Sequence, residues 1–361
     1  MLPESDGSAV NGSVFQNQTN RIGGRDGRSD REPGRPGINR RSFLHAAGVS
    51  VIAAAGWGLA ACSSDSSDDS AGQSSGANQK GSKGKDSRVA AVGMGDGDTL
   101  IALGIIPVIT TSYGVQPKAL NSWTSEALQS RKTHDLPIVL DGTQEAFSTS
   151  VLETIAHKNP SLIMAINTAV DKEAHQRLSA IAPIATHSDK YQDYEIPWDE
   201  QIKEVCEAVD REGDASKLIE GVKESFKKYR DKHPDIQNKK AAIVMPYDGK
   251  VAVYDDSAGW GQFITNMGYT IPQSVQGDGS GGQSSAFYHE ISAENYDIFR
   301  GLDKLFVIDY AGKSEAFLHD PVFSSLDVAQ EGRTQVLQEE LGTAMSMPNP
   351  LSVPWALSKI G

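Results

Sequence analysis

Residues that could do chemistry are few along this chain, and the familiar patterns that contain them break at a decisive position. Gly93-Met94-Gly95-Asp96-Gly97-Asp98 follows a short apolar run as a dinucleotide-binding turn would, but its sixth position is Asp98. Two carboxylates would then face a pyrophosphate, which argues against a nucleotide site. His289-Glu290-Ile291-Ser292-Ala293 lacks the second histidine that would put two imidazoles on one helical face for zinc. The one Gly-x-Ser-x-Gly match, Gly72-Gln73-Ser74-Ser75-Gly76, lies in a polar stretch with no strand before it or helix after it to make a nucleophile elbow, and no Walker lysine loop occurs. His134, His157, His175, His187, His233, His289 and His319 are scattered, mostly beside polar residues. Surface positions suit them better than a metal site, though three ligands from distant loops could still meet. The expectation is a chain with no catalytic residues, no metal and no resident cofactor, and a site assembled only in three dimensions is the remaining enzymatic alternative.

What the chain does offer is aromatic side chains where strands end. Open α/β sheets bind ligands in the loops beyond their strands. Those loops carry Met94, Asp96, Tyr113, Trp123, Asp141, Gln144, Asn167 and Thr168 in the first half, and Tyr247, Trp260, Phe287, Tyr288 and Tyr310 in the second. An aromatic lining with few charges suits a bulky, partly apolar ligand held by stacking and a handful of hydrogen bonds. The ligand-contact candidates are Met94, Tyr113, Trp123, Asn167, Tyr247, Trp260, Tyr288 and Tyr310. Of these, Tyr113, Trp260 and Tyr310 have Gly or Asp neighbours that place them in turns.

The elements that must hold these residues alternate. Short apolar runs at 89–92, 107–110, 137–140 and 162–166 read as strands, and 99–103, 151–157, 172–181 and 198–209 as helices. Residues 214–233 then form an amphipathic helix with Leu218, Ile219, Val222, Phe226 and Tyr229 on one face, Asp214 as N-cap and Pro234 as stop. Beyond it the plan returns, with strands at 241–245, 251–254 and 305–308 and helices at 261–267 and 293–299. Alternating strands and helices predict an α/β layer architecture with a mostly parallel sheet. Each half also places a glutamate, Glu153 or Glu294, in the first turn of a helix that precedes a strand, a position that the helix dipole favours in any case.

The 361 residues suffice for two domains. After residue 61 there remain 27 basic and 42 acidic residues, a balance that argues against nucleic acid as a partner. Of the two cysteines, Cys206 falls at an apolar helical position and reads as core, and no disulfide with Cys62 is expected. Residues 1–39 are polar and without apolar period, as disordered segments are. Arg40-Arg41-Ser42-Phe43-Leu44 then precedes an alanine-rich apolar run that ends in Leu59-Ala60-Ala61-Cys62. The first stretch resembles a twin-arginine export motif and the second a bacterial lipobox, which implies diacylglycerol on Cys62. Two acyl chains anchor stably where one does not. Residues 63–87, nearly devoid of apolar side chains, form a tether with an end-to-end distance of roughly 25–30 Å.

From Arg88 to Gly361 the chain resembles the substrate-binding lipoproteins of bacterial iron-siderophore ABC importers, a cluster that includes vitamin B12 and haem binders. Four stretches carry the likeness: 88–104 from Arg88-Val89-Ala90 to Ala102-Leu103-Gly104; Glu153-Thr154-Ile155-Ala156 through Pro160-Ser161-Leu162-Ile163; Leu178 to Ile184 with Pro197-Trp198; and Gly332-Arg333 with Asn349-Pro350-Leu351-Ser352-Val353-Pro354. The resemblance implies a class III periplasmic-binding-protein-like fold, two Rossmann-like lobes joined by a single long helix, with ligand gripped between them and little hinge motion. The implied division is a signal at 1–61, a linker at 62–87, lobes at 88–212 and 234–361, and the helix at 213–233. The family usually continues with a final helix beyond the Pro-Leu-Ser stretch, so the second lobe is expected to be short there. The implied function is a monomeric, lipid-anchored extracytoplasmic receptor that captures a ferric siderophore and delivers it to an ABC permease, docking through Glu153 and Glu294. The cleft offers only Arg131, Arg177 and Arg300 for an anionic complex, so a neutral or weakly charged one such as a hydroxamate is favoured. The alternatives are a haem or cobalamin receptor of the same class, and a surface-anchored enzyme on this scaffold.

Overall fold

The computed structural model describes residues 88–112, 119–133, 135–142, 147–277 and 288–360, so the expected signal, Cys62 and the tether lie outside the described residues. The first lobe is a five-stranded parallel sheet in the order β3-β2-β1-β4-β5, formed by β1 (Val89–Ala91), β2 (Ile109–Ser112), β3 (Ile138–Asp141), β4 (Leu162–Ala165) and β5 (Ile184–Thr186). Side chains alternate across a strand, and both faces of this sheet are covered. Val89, Leu162 and Met164 pack with Leu100 of α1 (Asp96–Ala102) and Val205 of α5 (Trp198–Ala208). Ala90, Ile163 and Ala165 pack with Leu152 and Ile155 of α3 (Thr149–His157) and Leu178 of α4 (Lys172–Ser179). Between β2 and β3 lies α2 (Ser122–Ser130), which the apolar periodicity did not announce.

The second lobe repeats the layering with one reversal. Its sheet runs β10-β9-β6-β7-β8, from β6 (Ala241–Tyr247), β7 (Lys250–Tyr254), β8 (Tyr288–Ile291), β9 (Lys304–Asp309) and β10 (Thr334–Gln338). β6, β9 and β10 are parallel, and β7 is antiparallel to both β6 and β8 because Asp248-Gly249 closes a hairpin, both residues at positive φ. The expected helix at 293–299 is a 3₁₀ segment, Ala293–Phe299. α7 (Gly259–Met267) lies between β7 and β8; α8 (Ser314–Leu318), α9 (Pro321–Ser324) and α10 (Asp327–Gln330) lie between β9 and β10; α11 (Glu339–Ser346) and α12 (Ser352–Lys359) follow β10.

The amphipathic helix between the lobes is α6 (Glu212–Lys232), which starts two residues before the expected cap. At about 1.5 Å per residue it is roughly 31 Å long. Ala215, Ile219, Val222, Phe226 and Tyr229 are buried, and Leu218 is only half-buried. The outer face is laced with i,i+3 and i,i+4 ion pairs such as Lys227–Asp231. The buried stripe packs on α5, α7 and α12, with Phe226 edge-on to Phe263 at 5.1 Å. Trp198, Ile202 and Cys206 of α5 join α6 and the second lobe's core in one continuous apolar cluster, which also takes in Met94 and Trp123. Cys206 is fully buried, and burial pushes its thiol up to about 11.

The turn after β1 holds two buried carboxylates. Asp96 Oδ2 accepts from the Ile166 amide at 2.9 Å and Oδ1 from Gln201 Nε2 at 2.8 Å. Gly93 allows this, since a Cβ there would lie 2.2 Å from Asp96 Oδ2, and Gly95 supplies φ +75. Asp98 accepts from Trp123 Nε1 and Thr124 Oγ1, both at 2.6 Å, and from Asn349 Nδ2 at 2.9 Å. Both carboxylates therefore point into protein and neither faces a ligand.

Burial holds the Asp96 carboxyl up at about 6, against the opposing bonds from Gln201, Ile166 and Asn167. A raised acid pKa means that ionised Asp96 costs folding free energy above pH 6 and that the cost is relieved as pH falls from about 6 toward its unfolded value near 4, by about 3 kcal/mol at most. Melting curves from pH 7.5 to 4.5 should therefore show the wild type gaining stability relative to Asp96→Asn as pH falls; a constant difference would remove the effect. Phe226→Ala should cost about 3–5 kcal/mol in urea unfolding, several-fold more than Leu218→Ala.

Candidate functional site

In an open parallel sheet the ligand crevice lies outside the strands' carboxyl ends, where the strand order reverses. In the first lobe that point falls between β1 and β4, which pair directly. Met94 follows β1 and Asn167 follows β4, and they are tied together: the Met94 amide donates to Asn167 O at 2.9 Å and Asn167 Nδ2 donates to Met94 O at 3.3 Å. Gln201 Nε2 adds a second donor to Met94 O at 2.7 Å. Asn167 Oδ1 is buried and has no hydrogen-bond partner, and the same holds for Ser112 Oγ at the end of β2. An unmet buried acceptor costs about 1–3 kcal/mol, so such atoms mark places where a donor is missing.

The second lobe brings its own strand ends to the same side. Tyr310, just past β9, is half-buried; burial raises its phenol, and the carboxylates of Glu339 and, from the end of β3 in the other lobe, Asp141 add to the rise. Tyr247 at the end of β6 donates its hydroxyl to Glu290, which also accepts Lys250 Nζ. Burial and then that carboxylate raise the Tyr247 phenol. Lys313 lies 3.6 Å from Asp248. The charged groups at these strand ends are thus mainly acidic, and the two lysines are paired. The three arginines singled out from the sequence are each engaged within their own lobe: Arg131 with Ala102 O, Arg177 with Thr149 Oγ1, Arg300 with Asp297. Residues 113–118, 143–146 and 278–287 lie outside the described residues, Tyr113, Gln144 and Phe287 among them, and contain no arginine.

The other expected contacts sit deeper. Trp123 is 2 % exposed with its indole N–H on Asp98. Trp260 is 6 % exposed, donates to Gly342 O at 2.8 Å and packs on Tyr254 at 4.2 Å. Tyr288 is buried against the same Tyr254. The Met94 side chain belongs to the shared core. Of the named side chains, Asn167, Tyr247 and Tyr310 remain where strands open. Gln201 and Asn349 were not anticipated; a lone amide in a helix or after a proline-rich stretch gives no signal of the buried carboxylate that it serves.

Glu153 and Glu294 are both exposed, and each precedes a strand, β4 or β9. Glu153 stands in the second turn of α3, since that helix begins at Thr149. Ser292 holds the Glu294 carboxyl below its usual range. Among the described residues no helix is long and apolar enough to cross a membrane, and no cluster of three or more His, Cys, Asp or Glu could hold a metal ion.

Comparison with solved structures gives the same two-lobed architecture. The chain is 24 % identical to the iron-uptake ABC transporter substrate-binding protein PiaA of Streptococcus pneumoniae TIGR4, with a TM-score of 0.64 over 77 % of this chain and 93 % of that one. A periplasmic solute-binding protein of Mycobacterium smegmatis is 25 % identical, with a TM-score of 0.62 over 76 % and 90 %. FhuD2 of Staphylococcus aureus, solved with bound ferrioxamine B, is 15 % identical, with a TM-score of 0.58 over 76 % and 96 %. A comparison with curated protein sequences finds no significant match. The sequence profile described as periplasmic binding protein matches residues 89–341, and on that match the chain belongs to the periplasmic binding protein family.

Proposed function

We propose that this protein is an extracytoplasmic receptor that captures a ferric siderophore of the hydroxamate type between its lobes and hands it to an ABC permease, with no covalent chemistry of its own. The observation that carries the reading is the strand-order reversal between β1 and β4, where Asn167 Oδ1 is buried without a partner, on a fold shared with PiaA, which has been solved in complex with ferrichrome. The ligand contacts in this reading are Asn167, Tyr247 and Tyr310 with Tyr113, while Met94, Trp123, Trp260 and Tyr288 support them from behind. The partly acidic rim, with its paired lysines and arginines engaged elsewhere, disfavours a multiply anionic catecholate complex and suits a neutral or cationic one. Cys62 carries the lipid anchor after export through the twin-arginine signal, and Glu153 and Glu294 orient the receptor on the permease; exposed charges set encounter rate and register more than tightness.

Tryptophan fluorescence titration with ferrichrome, ferrioxamine B, a ferric tris-catecholate, haem and cobalamin tests the ligand class. Saturable responses to the hydroxamates, at least ten-fold tighter than to the catecholate, are expected; a Soret-type band with haem and no response to siderophores would give the role to a haem receptor. Asn167→Ala should weaken hydroxamate binding about ten-fold, some 1.4 kcal/mol. Unchanged affinity would take Asn167 out of the site. Glu153→Ala combined with Glu294→Ala should lower siderophore uptake by cells and leave binding intact, and normal uptake would reduce both to helix-start residues.

A further inference from the structure

We infer that Asp98 and Asn349 form a latch that fixes the separation of the two lobes, and with it the width of the cleft. The long helix α6 and the apolar core that the lobes share join them, but apolar contact is non-directional and sets their angle only loosely. Asp98 adds a directional polar attachment. It is 5 % exposed, on α1 of the first lobe, and it gathers donors from α2 and from Asn349, which is 251 residues away in the second lobe. Charge-assisted bonds of this kind are strong, and in a dry seam the loss of one donor is costly.

Asn349 is held so that only its amide nitrogen can face the carboxylate. Its Oδ1 accepts from the Leu351 and Ser352 amides, both at 2.9 Å, and so orders the start of α12. Its backbone amide donates to Ser352 Oγ at 3.1 Å, and Nδ2 also donates to Met347 O at 3.0 Å. A few residues on, Trp355 packs on Trp123 at 5.4 Å and donates to Glu126 Oε1 at 3.3 Å. The C-terminal segment thus grips α2 at two points. Other polar crossings among the described residues include an exposed bond from the Ser122 amide to Glu340 Oε1 at 2.9 Å and one from the Trp198 amide to Gln262 Oε1 at 3.4 Å. Neither involves a buried charge.

The geometry allows the latch to be broken without the helix cap. Asn349→Asp keeps an acceptor for the Leu351 and Ser352 amides but turns a second carboxylate onto Asp98. Two carboxylates in one buried site cannot both ionise cheaply, and a shared proton restores a bond between them as pH falls. The charged groups on the elements packed against the pair include Asp96 on the same helix, Lys203 and Glu204 on α5, Glu126 on α2, Glu340 on α11 and Lys359 on α12. The carboxylates favour proton uptake by the pair, and the lysines, Lys203 held by Glu200 among them, oppose it. Asn349→Ser also keeps a cap oxygen but is too short to reach Asp98, and it adds no charge.

Amide hydrogen exchange on the ligand-free full chain reads the latch without reference to any ligand. In Asn349→Asp at pH 8, residues 347–353 and α2 should exchange at least ten-fold faster than in the wild type, and the difference, after correction for intrinsic rates, should close by pH 5. Asn349→Ser should show a smaller acceleration that does not change with pH. Ferrichrome and ferrioxamine B serve as probes of the cleft, and whichever binds the wild type should bind Asn349→Asp at least ten-fold more weakly at pH 8 than at pH 5, relative to wild type. Wild-type exchange in Asn349→Asp at pH 8 overturns the latch, and so does an acceleration that persists unchanged at pH 5. If neither probe binds the wild type, the siderophore reading fails while the exchange result still decides the latch.

Discussion

A carboxylate that is removed from water must be met by donors from every side, and Asp98 is met from two pieces of chain remote from it in sequence, α2 and the segment before α12. That requirement couples choices that would otherwise be independent. The turn after β1 must enter α1 at one angle, α2 must present Trp123 and Thr124 in adjacent positions, and the segment before α12 must bring Asn349 across the seam. Each of these also borders the strand-end face. With the latch inferred above, the spacing of the lobes is set by a polar group inside the protein. Apolar packing could join the lobes with more tolerance, because burial energy is roughly proportional to area and indifferent to direction. Hydrogen bonds to a fixed charge are directional, so they select one arrangement among the many that the shared core would accept.

The two lobes build unlike rims from like layers. In the first lobe the turns after β1 and β4, at the sheet's carboxyl end, are tight and buried, as Met94, Asp96 and Asn167 show. The single antiparallel strand β7 gives the second lobe a hairpin at that same end. Tyr247, Lys250 and Glu290 gather there around one carboxylate. The first lobe thus offers a floor with unmet acceptors, and the second offers a lip of phenol and ammonium groups that already have a partner. A ligand meets directional demand from one side and adaptable contact from the other.

Local pattern carried much of this. The 3.6-residue stripe of α6, the apolar position of Cys206 and the strand runs 89–92, 162–166 and 241–245 were legible because each buries one face or a whole run against a layer. The short strands β5 and β8 and the edge strand β10 were not, since three to five residues, some of them half-exposed, give no periodic signal. Trp260 shows why a site is harder to read than a fold. Its glycine neighbours suggest a turn, yet a Cβ at Gly259 would lie 1.9 Å from Ser346 O and one at Gly261 would lie 1.9 Å from Asp255 O. Those glycines permit close packing, and the indole between them is core. Asp96 and Asp98 were equally opaque, because composition says that two carboxylates disfavour a phosphate but not that amides from α5 and from residue 349 come to bury them.

The charge pattern at the strand ends bears on selectivity through desolvation as much as through attraction. An anionic complex that enters the cleft gives up hydration and gains a partner only if a cation is available. Here Lys250 and Lys313 are already paired with Glu290 and Asp248, so binding an anion means breaking an ion pair or accepting the field of Asp141 and Glu339. A neutral complex loses less hydration and asks only for donors and acceptors, and Asn167 Oδ1 and Ser112 Oγ stand without them. On the proposed reading, discrimination against anionic complexes thus comes from what the rim withholds, and a rigid seam sharpens it, because lobes that cannot part cannot admit water to screen an ill-matched charge.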